Sequence, residues 1–144
     1  FLVWPNDLDN NLHLNNGRYL TLMDLGRWDL ALRTGLVGLV VKGRWQPLAG
    51  GVHIRFRRPL PPFRAYELFT RILAWDNKWF YLEQRFHQDG RDKARALVRI
   101  LFKGPAGNVP PGEVAAALGH PDAQSPPLPQ EVQLWDRMML TRGG

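Results

Sequence analysis

Apolar and polar residues alternate along much of this chain. Val52, Ile54 and Phe56 alternate with His53, Arg55 and Arg57, and Ala94, Ala96, Val98, Ile100 and Phe102 alternate with Arg95, Leu97, Arg99, Leu101 and Lys103. A period of two puts one set on the core face of a strand and the other on a wetter face. Between these segments lie Tyr66–Trp75 and Trp79–Gln88, separated by Asp76, Asn77 and Lys78, and Asp89-Gly90 then supplies a dipeptide favoured in tight hairpins. Three consecutive strands are therefore predicted to form an antiparallel meander. Pro59, Pro61 and Pro62 lack the N–H that a ladder uses, so they mark a loop between a strand ending near Arg58 and one starting near Tyr66. A further strand is expected within Leu36–Arg44.

A helix is predicted over about Gly17–Thr34, capped by Asn15 or Asn16 and stopped at Gly35. Nine of the sixteen residues from Arg18 to Arg33 are apolar and point in most directions on a helical wheel, the pattern of a helix buried on several sides. Asp24 and Arg27 on it are spaced for an i, i+3 ion pair. From Gly104 the alternation fades, and seven of the twelve prolines fall between Pro105 and Pro129. Within this stretch Pro111–Leu118 reads as a short helix ended by Gly119. Gln130–Thr141 reads as an amphipathic helix carrying Val132, Leu134, Trp135, Met138 and Met139. The expected organisation is one domain over residues 1–103 and a Pro-rich C-terminal extension over 104–144 that packs on the body or on a partner subunit.

Composition narrows the function. At 144 residues and 44% hydrophobic, the chain has the size and the core of one domain. Its most apolar run, Leu36–Val41, is far below the roughly 18 residues of a membrane span, so a soluble domain is expected. The chain opens on Phe1, which leaves a leader open, and a cytoplasmic location is the expectation. With no cysteine there is no disulfide, thiolate zinc site or thiol nucleophile, and His13, His53, His87 and His120 lack metal-ligand spacing. Neither a metal nor a cofactor is expected. Nucleophile-elbow, P-loop and dinucleotide fingerprints are also missing.

The net charge of +6 sits in the body: residues 1–103 hold 17 Lys/Arg against 9 Asp/Glu, and 13 of those cations are Arg, whose planar fork suits phosphate. Arg55, Arg57, Arg58 and Arg64 cluster most densely. They are candidates for binding a phosphorylated ligand, or else solvent-facing strand positions with cross-strand pairs. Nucleic acid is not an expected partner, since the strand arginines show no stacking aromatics and no helix-turn-helix accompanies them.

The segment that carries chemistry is Asp7-Leu8-Asp9-Asn10-Asn11-Leu12-His13-Leu14-Asn15-Asn16-Gly17-Arg18-Tyr19, just before and into the predicted helix. It resembles the D-x-D-x-x-G-H-V-N-N-x-x-Y signature of the hot-dog acyl-CoA thioesterases, the 4-hydroxybenzoyl-CoA thioesterase superfamily. Asp7, Asp9, His13, Asn15, Asn16 and Tyr19 match, and Leu12 stands where the pattern has glycine. Within that superfamily the Trp75–Tyr81 hairpin is similar to the thioesterase-superfamily-member, or mesenchymal-stem-cell-protein, branch. The resemblance implies an α+β hot-dog fold, one long buried helix wrapped by a curved antiparallel sheet of about five strands. It also implies a homodimer or tetramer, and hydrolysis of an acyl-CoA or acyl-carrier-protein thioester; the alternative on the same fold is a non-hydrolytic acyl-thioester or lipid-binding protein. In the catalytic set it implies, Asp9 is nucleophile or general base, the Asn16 backbone N–H holds the oxyanion, and His13 supports them. Asn15, Tyr19, Arg55, Arg57, Arg58 and Arg64 would bind substrate. The same loop residues also suit a purely local task, since Asp7, Asp9, Asn15 and Asn16 are of the types that cap helices and tie loops.

Overall fold

The computed structural model describes residues 16–42, 45–57 and 66–143. In chain order the elements are α1 (Asn16–Thr34), α2 (Leu36–Val41), β1 (Gln46–Phe56), β2 (Glu67–Trp75), β3 (Phe80–Gln88), β4 (Arg91–Gly104), β5 (Gly107–Val109), α3 (Pro111–Ala117) and α4 (Gln130–Gly143). The strands form one antiparallel sheet in the order β1-β4-β3-β2, with β5 folding back on β4. The β2–β3–β4 meander read from the alternation is present. Its first turn is held by Asp76, whose Oδ1 accepts from the N–H groups of Lys78 and Trp79 at 2.8 and 2.7 Å, the local bonding for which Asp is selected in turns. Its second turn is Asp89-Gly90, both at positive φ (52° and 76°), the backbone of a two-residue hairpin whose twist matches the strands.

The expected strand within Leu36–Arg44 is instead the helix α2. A run of six apolar residues reads equally well with either period, and the start decides it here. Gly35 takes a left-handed φ of 84° that breaks α1 and lets a new helix begin at once, setting Leu36 and Val40 one turn apart on the same side. Strand β1 starts later, at Gln46, and carries an irregularity between Ala49 and Gly51 in its pairing with β4.

Helix α1 lies on the inner face of the sheet. Leu22 and Met23 are buried against a cluster that includes Phe80, Leu82 and Phe86 of β3 and Ala94, Ala96 and Val98 of β4. Gly26 makes the approach possible: a methyl at that position would come within 2.9 Å of both Leu68 Cδ2 and Thr70 Oγ1. Burial on several sides, as the helical wheel suggested, is not what the single chain displays, because Leu25 and Leu32 face outward at 50% and 66% exposure. One helix can offer only one side to one sheet, so the outer apolar positions stay open.

The outer face of the sheet is covered by the C-terminal segment. Val132 and Trp135 of α4 pack on Tyr81 of β3 and Leu97 of β4, with Leu73, Trp79 and Leu128 at the margin. Leu97 and Leu101 were read on the wetter face of their strand, yet they are 4% and 7% exposed, since the alternation of β4 separates two buried layers. The two C-terminal helices fall where their sequence patterns place them, and Ser125 between them accepts a hydrogen bond from the Trp75 N–H at 2.8 Å.

Candidate functional site

Asn16 is the first residue of α1, and Tyr19 lies one turn further on. The amide of Asn16 is thus among the first N–H groups of a helix, which have no partner within it and carry its positive end. Asp7, Asp9, His13 and Asn15 lie outside the described residues, as do Arg58 and Arg64. Arg55 is exposed on β1, opposite Arg95 of β4, and Arg57 follows the strand, exposed, with its N–H bonded to the Lys93 carbonyl at 2.9 Å. Arg55 and Arg57 thus lie at the end of β1, two of the four arginines of the sequence cluster.

Sequence reasoning missed a cavity of about 760 Å³ between the C-terminal half of α1 and the inner face of the sheet. Trp28 and Leu30 of α1 and Leu36 and Val40 of α2 form one wall. Phe80, Leu82, Ile100 and Phe102 form the floor, and Val114 and Leu118 with the α3 segment close the far side. Its size and mostly apolar lining are those of a small-molecule site. No local pattern encodes it, because the space exists only where the helices, the strands and α3 fail to fill the volume between them.

One polar network reaches this cavity. Gln84 occupies an inward position of β3 between Leu82 and Phe86 and is completely buried. Its amide donates to the Met23 carbonyl at 2.8 Å and to Thr70 Oγ1 at 3.0 Å, and its carbonyl oxygen accepts from Arg27 Nη1 at 3.0 Å. Arg27 Nη2 donates to Asp24 at 3.3 Å, so the spacing read as an ion pair is one, with the buried glutamine added. Both Arg27 and Asp24 line the cavity. Burial pushes the Arg27 guanidinium below its ordinary value, and Asp24 opposes that shift. The available signal was Gln84 itself, a polar residue at a core position of an alternating strand.

A second network lies on the outer face. Glu83, 3% exposed, accepts from Arg71 at 2.8 Å and from Arg95 at 2.6 Å, and Arg95 extends to Glu131 of α4 at 2.6 Å. The hydrogen bonds from Arg95 hold the Glu131 carboxyl below the ordinary glutamate range. The carboxyl of Asp92 is likewise lowered, chiefly by its hydrogen bond with His87 at 3.0 Å. Arg71, Arg85 and Arg95 around the one buried carboxylate of Glu83 make a structural tie between sheet and helix rather than a reaction centre.

Residues 3–135 match the family model of the Thioesterase-like superfamily. The chain belongs to that superfamily. Protein THEM6 of Xenopus laevis is 35% identical over 134 residues, which cover 93% of this chain and 64% of the relative, so the chain spans about two thirds of that protein's length. Thioesterase poxG of Penicillium oxalicum is 36% identical over 97 residues, 65% of this chain and 30% of the fungal protein. Among solved structures, the YbaW probable thioesterase of Escherichia coli superposes with a TM-score of 0.75 at 21% identity, covering 83% of this chain and 94% of that one. The α+β hot-dog architecture implied by the loop resemblance is therefore the fold of this superfamily member, with a five-stranded antiparallel sheet and α1 on its inner face.

Proposed function

We propose that the protein hydrolyses an acyl thioester, with the acyl group in the cavity beside α1 and the carbonyl at the N-terminus of that helix. The observation that carries this reading is the apolar cavity of about 760 Å³ beside the C-terminal half of a helix that begins at Asn16, in a member of the Thioesterase-like superfamily. In this reading Asp9 either attacks the thioester carbonyl carbon, expelling the thiolate and forming a mixed anhydride that water then hydrolyses, or takes a proton from the water that attacks and returns it to the departing thiolate. The developing oxyanion is met by the Asn16 N–H, aided by the positive end of α1. His13, Asn15 and Tyr19 position the reacting group, and Arg55, Arg57, Arg58 and Arg64 hold the phosphates of the carrier. Substrate would be an acyl-CoA or an acyl-carrier-protein thioester. A homodimer, or a tetramer built from it, suits the sheet, since among the described strands β1 and β2 each pair along one side only.

A panel of acyl-CoAs from acetyl to palmitoyl, with aromatic members, followed by thiol release, tests the reaction. Asp9→Asn keeps the shape and removes the charge, and kcat is expected to fall about 10²-fold or more, equivalent to about 2.7 kcal/mol of transition-state stabilisation. Full turnover in that variant refutes the assignment of Asp9. Absence of turnover in the parent on every thioester, with acyl ligands still bound, favours a non-hydrolytic acyl-binding protein.

A further inference from the structure

We propose that Arg27 is a specificity residue that selects acyl chains carrying an oxygen acceptor near the middle of the chain, above all a hydroxyl group, over plain alkyl chains. The inference rests on the thioester reading for the direction in which the chain lies. It is carried by the contrast between Arg27 and its surroundings. Most of the cavity wall is apolar, with Leu30, Leu36, Phe80, Leu82 and Phe102 in it, and of the two guanidiniums that border the space Arg33 is 60% exposed whereas Arg27 is only 18% exposed. Placing a cation beside apolar walls costs free energy unless its hydrogen bonds are met. Among the described residues, Gln84 and Asp24 take up two of the five N–H groups that a guanidinium offers. Gln84 is fully buried and fixed by Met23 and Thr70, so it holds the guanidinium in one place. A ligand oxygen in the cavity would meet a donor that is already oriented.

The position of that oxygen follows from the helix. Arg27 lies eleven residues after Asn16. Long helical side chains lean back toward the N-terminus, and the Arg27 bond to Asp24 fits that lean. The guanidinium therefore stands level with about residue 24, roughly 12 Å from Asn16 at 1.5 Å per residue. An extended chain advances about 1.1 to 1.2 Å per bond, as the backbone does, so an acceptor about ten bonds from the thioester carbonyl would lie beside Arg27. The remainder of a long chain would continue into the apolar part lined by Trp75, Phe102 and Leu118. Asp24 sits on the same rim at 61% exposure, which disfavours a carboxylate at this point and leaves a neutral hydroxyl as the better partner.

Trp28 and Trp75 line the cavity, so their fluorescence reports occupancy without any turnover. The probes are octadecanoate, 10-hydroxyoctadecanoate and 3-hydroxyoctadecanoate, titrated into the parent protein and into Arg27→Met and Arg27→Lys. In the parent, the 10-hydroxy acid is expected to bind about tenfold more tightly than octadecanoate, the scale of a hydrogen bond to a charged donor. The 3-hydroxy acid should show no such gain. Arg27→Met should erase the preference, and Arg27→Lys should retain part of it. Equal affinities for the three acids in the parent overturn the proposal, as does a 10-hydroxy preference that survives in Arg27→Met. Loss of thiol release on every thioester would instead sink the hydrolysis reading, and these binding ratios would still decide the role of Arg27.

Discussion

On the inner face of the sheet, Phe80, Leu82 and Phe86 meet Leu22 and Met23 of α1, and beside that contact the layers part around about 760 Å³ of space. On the outer face, Tyr81 and Leu97 lie under Val132 and Trp135, and the border of the contact is drawn by Arg95 between Glu83 and Glu131. Both layers rest on β3 and β4. One is an apolar contact left incomplete on one side, with the half-buried Arg27 held at its edge. The other is a small apolar contact fastened by charge. The inner layer thus keeps open volume, whereas the outer layer fixes α4 to the sheet. The difference lies in what finishes each contact, since the strands supply apolar residues to both sides.

The largest effect is expected where the inner layer is closed. Phe86 is 1% exposed and packs against Tyr66 at 5.9 Å between ring centroids, away from the cavity lining. Phe86→Ala should cost about 4 kcal/mol, read as a lower midpoint in urea unfolding at unchanged slope. A loss below about 1 kcal/mol would mean that this part of the layer is as loosely packed as the cavity beside it.

Breaking the outer layer at its charged border should cost slightly less. Arg95→Ala removes a partner from the nearly buried Glu83 and frees Glu131, while Arg71 and Arg85 remain near Glu83. About 3 kcal/mol is expected, the scale for stranding one member of a buried pair, with Trp135 emission shifting to the red as α4 loosens. Arg95→Met with Glu83→Leu should recover most of that loss, because two apolar residues of similar volume avoid the stranded charge.

Gly26→Ala tests how closely α1 must lie on the sheet. The added methyl meets the ends of Leu68, Thr70 and Gln84 at 2.9 to 3.0 Å, which favours a net loss of about 1 kcal/mol after the gain in helix propensity is counted. A stabilised Gly26→Ala protein would show that the side chains of β2 and β3 yield without lifting the helix.

The smallest effect is on pH. The folded-state pKa of Glu131 lies below its ordinary value, so its bond to Arg95 stabilises fully above that ordinary value and is lost as pH falls through the lowered one. Glu131 is 47% exposed, so solvent screening keeps the contribution to about 1 kcal/mol or less. Acid titration of Trp135 emission in the parent and in Glu131→Gln should converge below the ordinary glutamate range and separate above it. Parallel curves at all pH values would remove the ion pair from the account of the outer layer.

Local physics made much of this molecule legible in advance. Alternation over Ala94–Phe102 placed β4, and Asp76 and the Asp89-Gly90 pair placed the turns, whereas the short strand β5 (Gly107–Val109), which carries the sheet past the composition change at Gly104, had no such signal. The loop carrying Asp7, Asp9, His13 and Asn15 pointed to the thioesterase superfamily through its likeness to a known signature, and residues 3–135 match that family's model. Less legible was whether Leu36–Val41 would be strand or helix, because a run of six apolar residues carries no period of its own.

By itself, then, the sequence determined most of the elements, the meander and the family, each of which depends on neighbours a few residues apart or on a contiguous motif. Only the tertiary structure decided that Leu97 and Leu101 would be buried, that Gln84 would hold Arg27 across a separation of 57 residues, and that α1, α2 and α3 would leave a cavity over the floor of β3 and β4. Packing, burial and empty volume are properties of pairs of surfaces. A periodic pattern states which side of each surface is apolar, but the fit between two such sides exists only once the chain has brought them together.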